Sequence, residues 1–466
     1  MTRKRFGARR GWAWLVFLAV GAVVTVWAVA RFSPPKAEQQ AALAALAILQ
    51  PMATERDAFP ALWTLPYAVP ETALAAVYAE DAGKIAAIPE PGLAMSGDAT
   101  GIGAVGYRSV AAERYPDQTP TKADAQRFCA AKDDCLKTVE ADLDAYAALL
   151  ERNAALLDRV DALSRYDRTS LGFGERVDAP LPQFRFLGWP MTRHAWAFAN
   201  GDRATAFDGV CRNIATLRRI GAGSDALIAR LVATNLASDA YARLLAEMLA
   251  RTPNDVALPP ACDAAFVAPN AEERSLCRAM RGEFAFVAAG LRGGEAIDGA
   301  RSVWWKGWAN TVIYDPERTV AEIAPYFAQY CGEEIDRAIA ADDPVIATKM
   351  PRDWLRFGCA GNFGGCILAQ IAAPDYSVYA KRLQDANARI ELMAGLLRLR
   401  GESANVPLSA RAGALATESK TPQRDVALSE DGRGLRLSLH APAAGGAEVW
   451  EVPLPGSRAS TTSPTP

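Results

Sequence analysis

Eight cysteines, two histidines and three tryptophans packed into "WWKGW" are the residues whose types could carry chemistry in this chain. The cysteines are Cys129, Cys135, Cys211, Cys262, Cys277, Cys331, Cys359 and Cys366. Structural zinc needs thiolates at C-x(2–4)-C spacing, often joined by histidine. Here the tightest pairs, "CAAKDDC" and "CAGNFGGC", are spaced more widely than that, and neither holds a histidine. No C-x-x-C is present for a thioredoxin-like couple, and no C-x-x-C-H for haem attachment. The sulfurs therefore read as disulfides, with no metal and no cofactor called for. Proximity pairs Cys129–Cys135, Cys262–Cys277 and Cys359–Cys366, and elimination leaves Cys211–Cys331. Closing the ~15-residue loop at Cys262–Cys277 would stabilise the fold by ~3 kcal/mol on the chain-entropy account.

The other chemistry-bearing residues are more scattered. His194 lies beside Trp196 and Phe198, but no G-x-S-x-G supplies a nucleophile and no H-E-x-x-H a metal site. It reads as a structural histidine, and His440 as the end of an expected strand. Gly101, Gly103 and Gly106 fit G-x-G-x-x-G. "MSGDAT" precedes them with no strand–helix context, so they read as a loop. Glu283 in "RAMRGEFAFVA" stands near Arg278 and Arg281, and Glu333 and Glu334 precede Asp336. Two acids across a cleft could hydrolyse a glycoside, one protonated and one ionised, but that chemistry leaves no spacing signature. Trp304, Trp305 and Trp308 are the candidate binding surface, because three indoles in five residues cannot share one helix face. Aromatic platforms of this kind suit apolar or sugar surfaces. The competing reading has them covering a seam between helices.

These residues are positioned by a chain that begins with a basic segment, "MTRKRFGARR", and an unbroken apolar run from Gly11 to Ala30. About 20 apolar residues at 1.5 Å rise match a ~30 Å hydrocarbon core and must be helical within it. Trp12, Trp14 and Trp27 stand near the two ends of the run, where indoles favour the headgroup boundary. The basic cluster before the run outweighs Arg31 and Lys36 after it. This places the N-terminus in the cytoplasm and the body outside, at the inner membrane of a bacterium, where cysteines oxidise. A cleaved signal is the competing reading, with Ala28-Val29-Ala30 as the cleavage site and Arg9-Arg10 as a twin-arginine hint. The apolar run is longer than a signal core of ~7–15 residues, which favours a retained anchor. Half of the residues are hydrophobic and net charge is −2, so disorder and nucleic-acid binding are not indicated.

The body reads as mainly α. Leu136, Val139, Leu143, Tyr146, Leu150, Asn153, Leu157 and Val160 alternate three- and four-residue steps along one helix face, with Asn153 its polar member. Gly201-Asp202 separates two more helices, and a long amphipathic helix ends at Gly401 with Arg398 and Arg400 in its last turn. Paired helices suggest a bundle or solenoid-like domain without a countable repeat. Leu435, Leu437 and Leu439 then alternate after an Asp431-Gly432 turn, and "AEVWEVPL" answers them, giving a small β appendage. The boundaries are a basic tail at 1–10, an anchor at 11–31, and a helix with a Pro/Gly-rich arm at 32–120. A disulfide-stapled helical domain follows at 121–400, then the β appendage at 401–455 and a disordered tail at 456–466.

Over 140–390, "DLDAYAALLERNAALLDR", "RGEF" and "NFGG" leading into "LAQIAAPDYSVYAKRLQD" carry a resemblance. The chain resembles an uncharacterised proteobacterial family of single-span, mostly helical envelope proteins. The resemblance implies an anchored helical body and transfers no activity or catalytic residue. The expected function is that of a non-enzymatic, membrane-anchored periplasmic binding or scaffold protein with a protein or envelope component as partner. The alternative is an anchored hydrolase, acting on cell-wall glycan through dispersed carboxylates.

Overall fold

The computed structural model describes residues 5–47, 55–89, 104–130, 134–293, 312–351, 353, 356–401, 406–442 and 447–458. Trp304, Trp305 and Trp308, with Gly101 and Gly103, lie outside them. The protein is mainly helical, with 64% of the described residues in helices. The helix Arg5–Phe32 contains the apolar run and leaves most of it exposed, with Trp14, Phe17 and Val23 all at least 67% accessible. It is long and apolar enough to cross a membrane.

Two hydrophobic cores organise the body. The larger gathers side chains from Ala58 to Phe266 and again from Ile390 to Leu454. The smaller gathers Ala42 and Leu46, the helices Cys277–Gly293 and Pro316–Ala328, and the stretch Ala369–Leu383. The 25-residue helix Ser377–Gly401 belongs to both: its first half places Ala380 and Leu383 in the smaller core, its second half Ile390, Leu396 and Leu399 in the larger. A satellite cluster of Phe59, Trp63, Ile85 and Phe173 folds the Pro/Gly-rich arm onto the larger core's flank.

The periodic segment after Cys135 is not one helix. It breaks into Cys135–Glu140, Leu143–Arg152 and Ala154–Asp161. Asp142 restarts the chain by accepting from the Ala145 amide at 3.2 Å. Asn153 ends the second piece, its Nδ2 donating to the Leu149 carbonyl at 2.7 Å. Short polar side chains compete with the backbone in this way, so they punctuate helices they do not abolish. The apolar face survives: Leu136, Val139, Leu149, Leu156, Leu157 and Val160 are all buried.

The β appendage is a three-stranded antiparallel sheet in the order β1 (Val426–Leu428), β2 (Gly434–Ser438), β3 (Val449–Pro453). Leu435 pairs with Val452 and Leu437 with Trp450, and all four face the larger core. Gly432 turns the first hairpin with φ +68°, a conformation glycine adopts without steric cost. The chain beyond Leu454 departs from the expected disorder at its start. The Gly456 and Arg458 amides donate to the carbonyls of Leu249 and Ala250, and Arg458 pairs with Glu247 at 2.5 Å.

All eight cysteines are paired, and two of the four expected pairs are corrected. Cys129–Cys135 and Cys359–Cys366 form as expected, but the others are Cys211–Cys262 and Cys277–Cys331, not Cys262–Cys277 and Cys211–Cys331. The reason lies in the two cores. The short helix Pro260–Ala265 folds back on Arg203–Ala222 and buries Cys262 against Cys211 in the larger core. The chain then crosses over, and Leu276, Ala279 and Met280 enter the smaller one. Cys262 and Cys277 are near in sequence but serve different cores.

Candidate functional site: an arginine-lined cleft between the cores

A cleft of 320 Å³ opens where the two cores and the sheet meet. Three arginines line it: Arg230 from the helix Leu227–Asn235, and Arg382 and Arg389 from Ser377–Gly401. The first of these helices runs into a π-helical turn, Leu236–Tyr241, which places Ser238 and Asp239 on the same wall. Such wide turns are rare and concentrate at functional sites.

The cleft's acids are already engaged. Asp239 Oδ1 accepts from Arg243 Nε at 2.6 Å and from Trp450 Nε1 at 2.7 Å. Asp385 accepts from Arg424 Nη1 and from the His440 and Ala441 amides at 2.8, 2.8 and 3.0 Å. The arginines differ. Arg230 is only 3% exposed and donates through Nη2 to the carbonyls of Glu272 and Glu273, while its Nε has no partner among the described residues. Burial pushes its pKa down to about 10. Arg389 stacks 5.8 Å over the Trp450 ring, its buried Nε has no partner among the described residues, and burial lowers its pKa. Arg382 is exposed and lies 5.6 Å from the Tyr379 ring centroid. Guanidinium forks match carboxylate and phosphate oxygens. The arrangement suits an anionic group entering between the cores.

The residues singled out from sequence lie elsewhere. His194 is buried, with its Nε2 3.0 Å from Asn213 Nδ2, and burial pushes its pKa down to about 3. A neutral histidine wedged against Gly209 packs the larger core. His440 does find a partner, its Nε2 lying 3.1 Å from the Asp342 carbonyl. Arg278 pairs with Asp225 and Glu272, and Arg281 donates to the Ala45 carbonyl. Glu283 instead accepts from the Tyr376 hydroxyl at 3.1 Å. Glu333, Glu334 and Asp336 are exposed on the first turn of the helix Glu333–Ala340. Among the described residues no three His, Cys, Asp or Glu side chains gather as metal ligands.

Glu283 has a measurable consequence. Burial raises its pKa, and the Tyr376 hydrogen bond only partly offsets this. The folded chain thus holds this proton to higher pH than the unfolded chain does. Stability falls as pH rises from the ordinary carboxylate range through the raised value, and is level outside that window. Glu283→Gln keeps an acceptor for Tyr376 and removes the titration. Urea midpoints from about pH 4 to about pH 8 should fall less steeply in the variant, which gains on the parent as pH rises. Parallel profiles would refute the assignment.

Sequence reasoning passed over the cleft because arginines on amphipathic helices normally face solvent. One signal was present: Arg382, Asp385 and Arg389 fall at i, i+3 and i+7, on one helix face. Comparison with protein-family models, with curated proteins and with solved structures finds no match for the chain.

Proposed function

We propose that the protein is a membrane-anchored binding protein of the cell envelope. In this reading Arg5–Phe32 stays in the inner membrane with its basic end in the cytoplasm, and the body faces the periplasm. The cleft then takes a carboxylate- or phosphate-bearing envelope component. The carrying observation is that three arginines, Arg230, Arg382 and Arg389, line one cleft whose acids Asp239 and Asp385 already hold donors. The apolar helix and four disulfides support an anchored or secreted protein of an oxidising compartment. A hydrolase acting through paired acids has less support, because Asp239 and Asp385 each hold donors already.

The test is calorimetric titration of the detergent-solubilised chain with two soluble probes, glycerol phosphate and a muramyl dipeptide. Hydrogen bonds to charged groups contribute about 1.5–3 kcal/mol, so Arg389→Met and Arg382→Met should each weaken binding at least about tenfold. A binding isotherm indifferent to both substitutions would remove the cleft from the proposal.

A further inference from the structure

The anchor helix does not simply lead into the body; it is clamped to it. Trp27 Nε1 donates to the Val312 carbonyl at 3.1 Å, and Arg31 pairs with Asp315 at 3.1 Å. Arg318 donates back to the carbonyls of Arg31 and Ser33. Gly361 lies against the anchor's backbone so closely that a Cβ there would come within 2.5 Å of the Arg31 nitrogen. The Cys359–Cys366 disulfide closes the loop that carries this glycine. Asn362 secures it from within, accepting from the Asp315 amide at 2.7 Å and donating to Thr319 Oγ1 at 3.0 Å.

The level of this clamp is fixed by the apolar run. Gly11–Ala30 at 1.5 Å per residue spans about 30 Å, so Trp27 sits about 4.5 Å inside its outer end. The body residues that meet Trp27 and Ala30 therefore stand at the headgroup boundary. Beside them, large apolar side chains are left uncovered: Ile313 is 38% exposed, Phe357 57% and Phe363 46%. Phe363 opens the helix Phe363–Ala372, "FGGCILAQIA", which holds no charged residue. Its side chains at i, i+4 and i+8 are Phe363, Ile367 and Ile371, the last 70% exposed. A charge-free helix with an apolar stripe, beginning at the foot of a membrane helix, has the make-up of an interfacial element.

We infer that Ile313, Phe357, Phe363 and Ile371 form a second membrane contact, seated in the headgroup–acyl boundary of the outer face of the lipid layer. This rests on the reading of Arg5–Phe32 as a retained anchor. The occupant is lipid because the surface is continuous with the anchor's own lipid-facing side; another protein could reach it only by lying in the same layer. A body held at two points cannot swivel about its stem, which fixes the cleft's height above the membrane.

The full chain is first recovered from native membranes and its N-terminal peptide identified; absence of the anchor there overturns the anchor reading and this surface together. It is then reconstituted in phosphatidylethanolamine–phosphatidylglycerol vesicles with a phospholipid carrying a diazirine near its acyl carbonyl, irradiated and mapped by mass. Adducts are expected on the peptides holding Phe357, Phe363 and Ile371 as well as on the anchor. A phospholipid with its diazirine at the acyl terminus should label the anchor alone. Phe363→Gln with Ile371→Gln, both at exposed positions, should reduce the loop adducts several-fold and leave the anchor's unchanged. Labelling confined to the anchor with both lipids overturns the inference. So do loop-to-loop crosslinks showing a second copy over this surface.

Discussion

Replacing Cys211 and Cys262 together by alanine is expected to lower the unfolding free energy by about 4 kcal/mol on the chain-entropy account. The two cysteines are 51 positions apart, and both are wholly buried in the larger core. The loss is a large share of the ~5–15 kcal/mol by which domains are typically stable. Substituting both cysteines avoids a stray thiol that could rebridge. The control is Cys129→Ala with Cys135→Ala, where the separation is 6. Opening so short a loop should cost about 2 kcal/mol. Urea denaturation of both variants in non-reducing detergent buffer measures the contrast. Equal losses from the long and short staples would show that loop length does not govern their contribution. A Cys277–Cys331 double replacement should behave like the long staple, at a separation of 54.

Removing Arg424 is expected to be as damaging, for a different reason. Its side chain is 1% exposed and binds two aspartates at once. Nε and Nη2 reach Asp342 at 2.6 and 2.9 Å, and Nη1 reaches Asp385 at 2.8 Å and the Ser438 carbonyl at 2.7 Å. The cluster ties the approach to β1 and the end of β2 to the helix Ser377–Gly401 and to the turn after the helix Glu333–Ala340. Arg424→Met would leave two carboxylates without their cation, at a cost of about 3–5 kcal/mol. The sheet should then become protease-sensitive before the helical body does. Adding Asp342→Asn and Asp385→Asn should recover part of the loss, because the stranded charges go with the cation. Burial would raise the Asp342 carboxyl, yet hydrogen bonds from His440 and Arg424 hold it below its usual range. Its contribution is therefore present above the ordinary carboxylate range and lost as pH falls through the lowered value. An Arg424→Met protein with unchanged urea midpoint would contradict this account.

The contrast between these two features shows what can be read from residues alone. The apolar N-terminal helix, the helical body and the three-stranded sheet are local patterns, carried by apolar runs, three- and four-residue steps and alternation. Cys129–Cys135 and Cys359–Cys366 were legible because each clasp lies within one turn of the chain. Cys211–Cys262 was not, because which core Pro260–Ala265 folds onto is decided by packing, and no spacing records it. The arginine cleft was hidden for a similar reason. Arg230 stands more than 150 positions before Arg382 and Arg389. Only the crossing of two helices turns three apparently solvated cations into one wall. Asn153 is legible as the polar member of an apolar helix face, but its role in ending a helix depends on the Leu149 carbonyl it captures.

The clamp on the helix Arg5–Phe32 bears on the order in which the molecule is made. Arg31 and Gly361 are 330 positions apart. Translation runs at about 5–20 residues per second, so that helix emerges roughly 20 to 60 seconds before its seat is synthesised. During that interval the growing chain holds its stem with no body contact to orient it. Seating must close a loop of 330 positions in a chain of 466, and it comes among the last events of folding. The Cys359–Cys366 clasp and the Asn362 network form locally once their residues exist. They can therefore shape a finished socket before the helix Arg5–Phe32 docks, so the last step in assembly is a docking of two prepared parts.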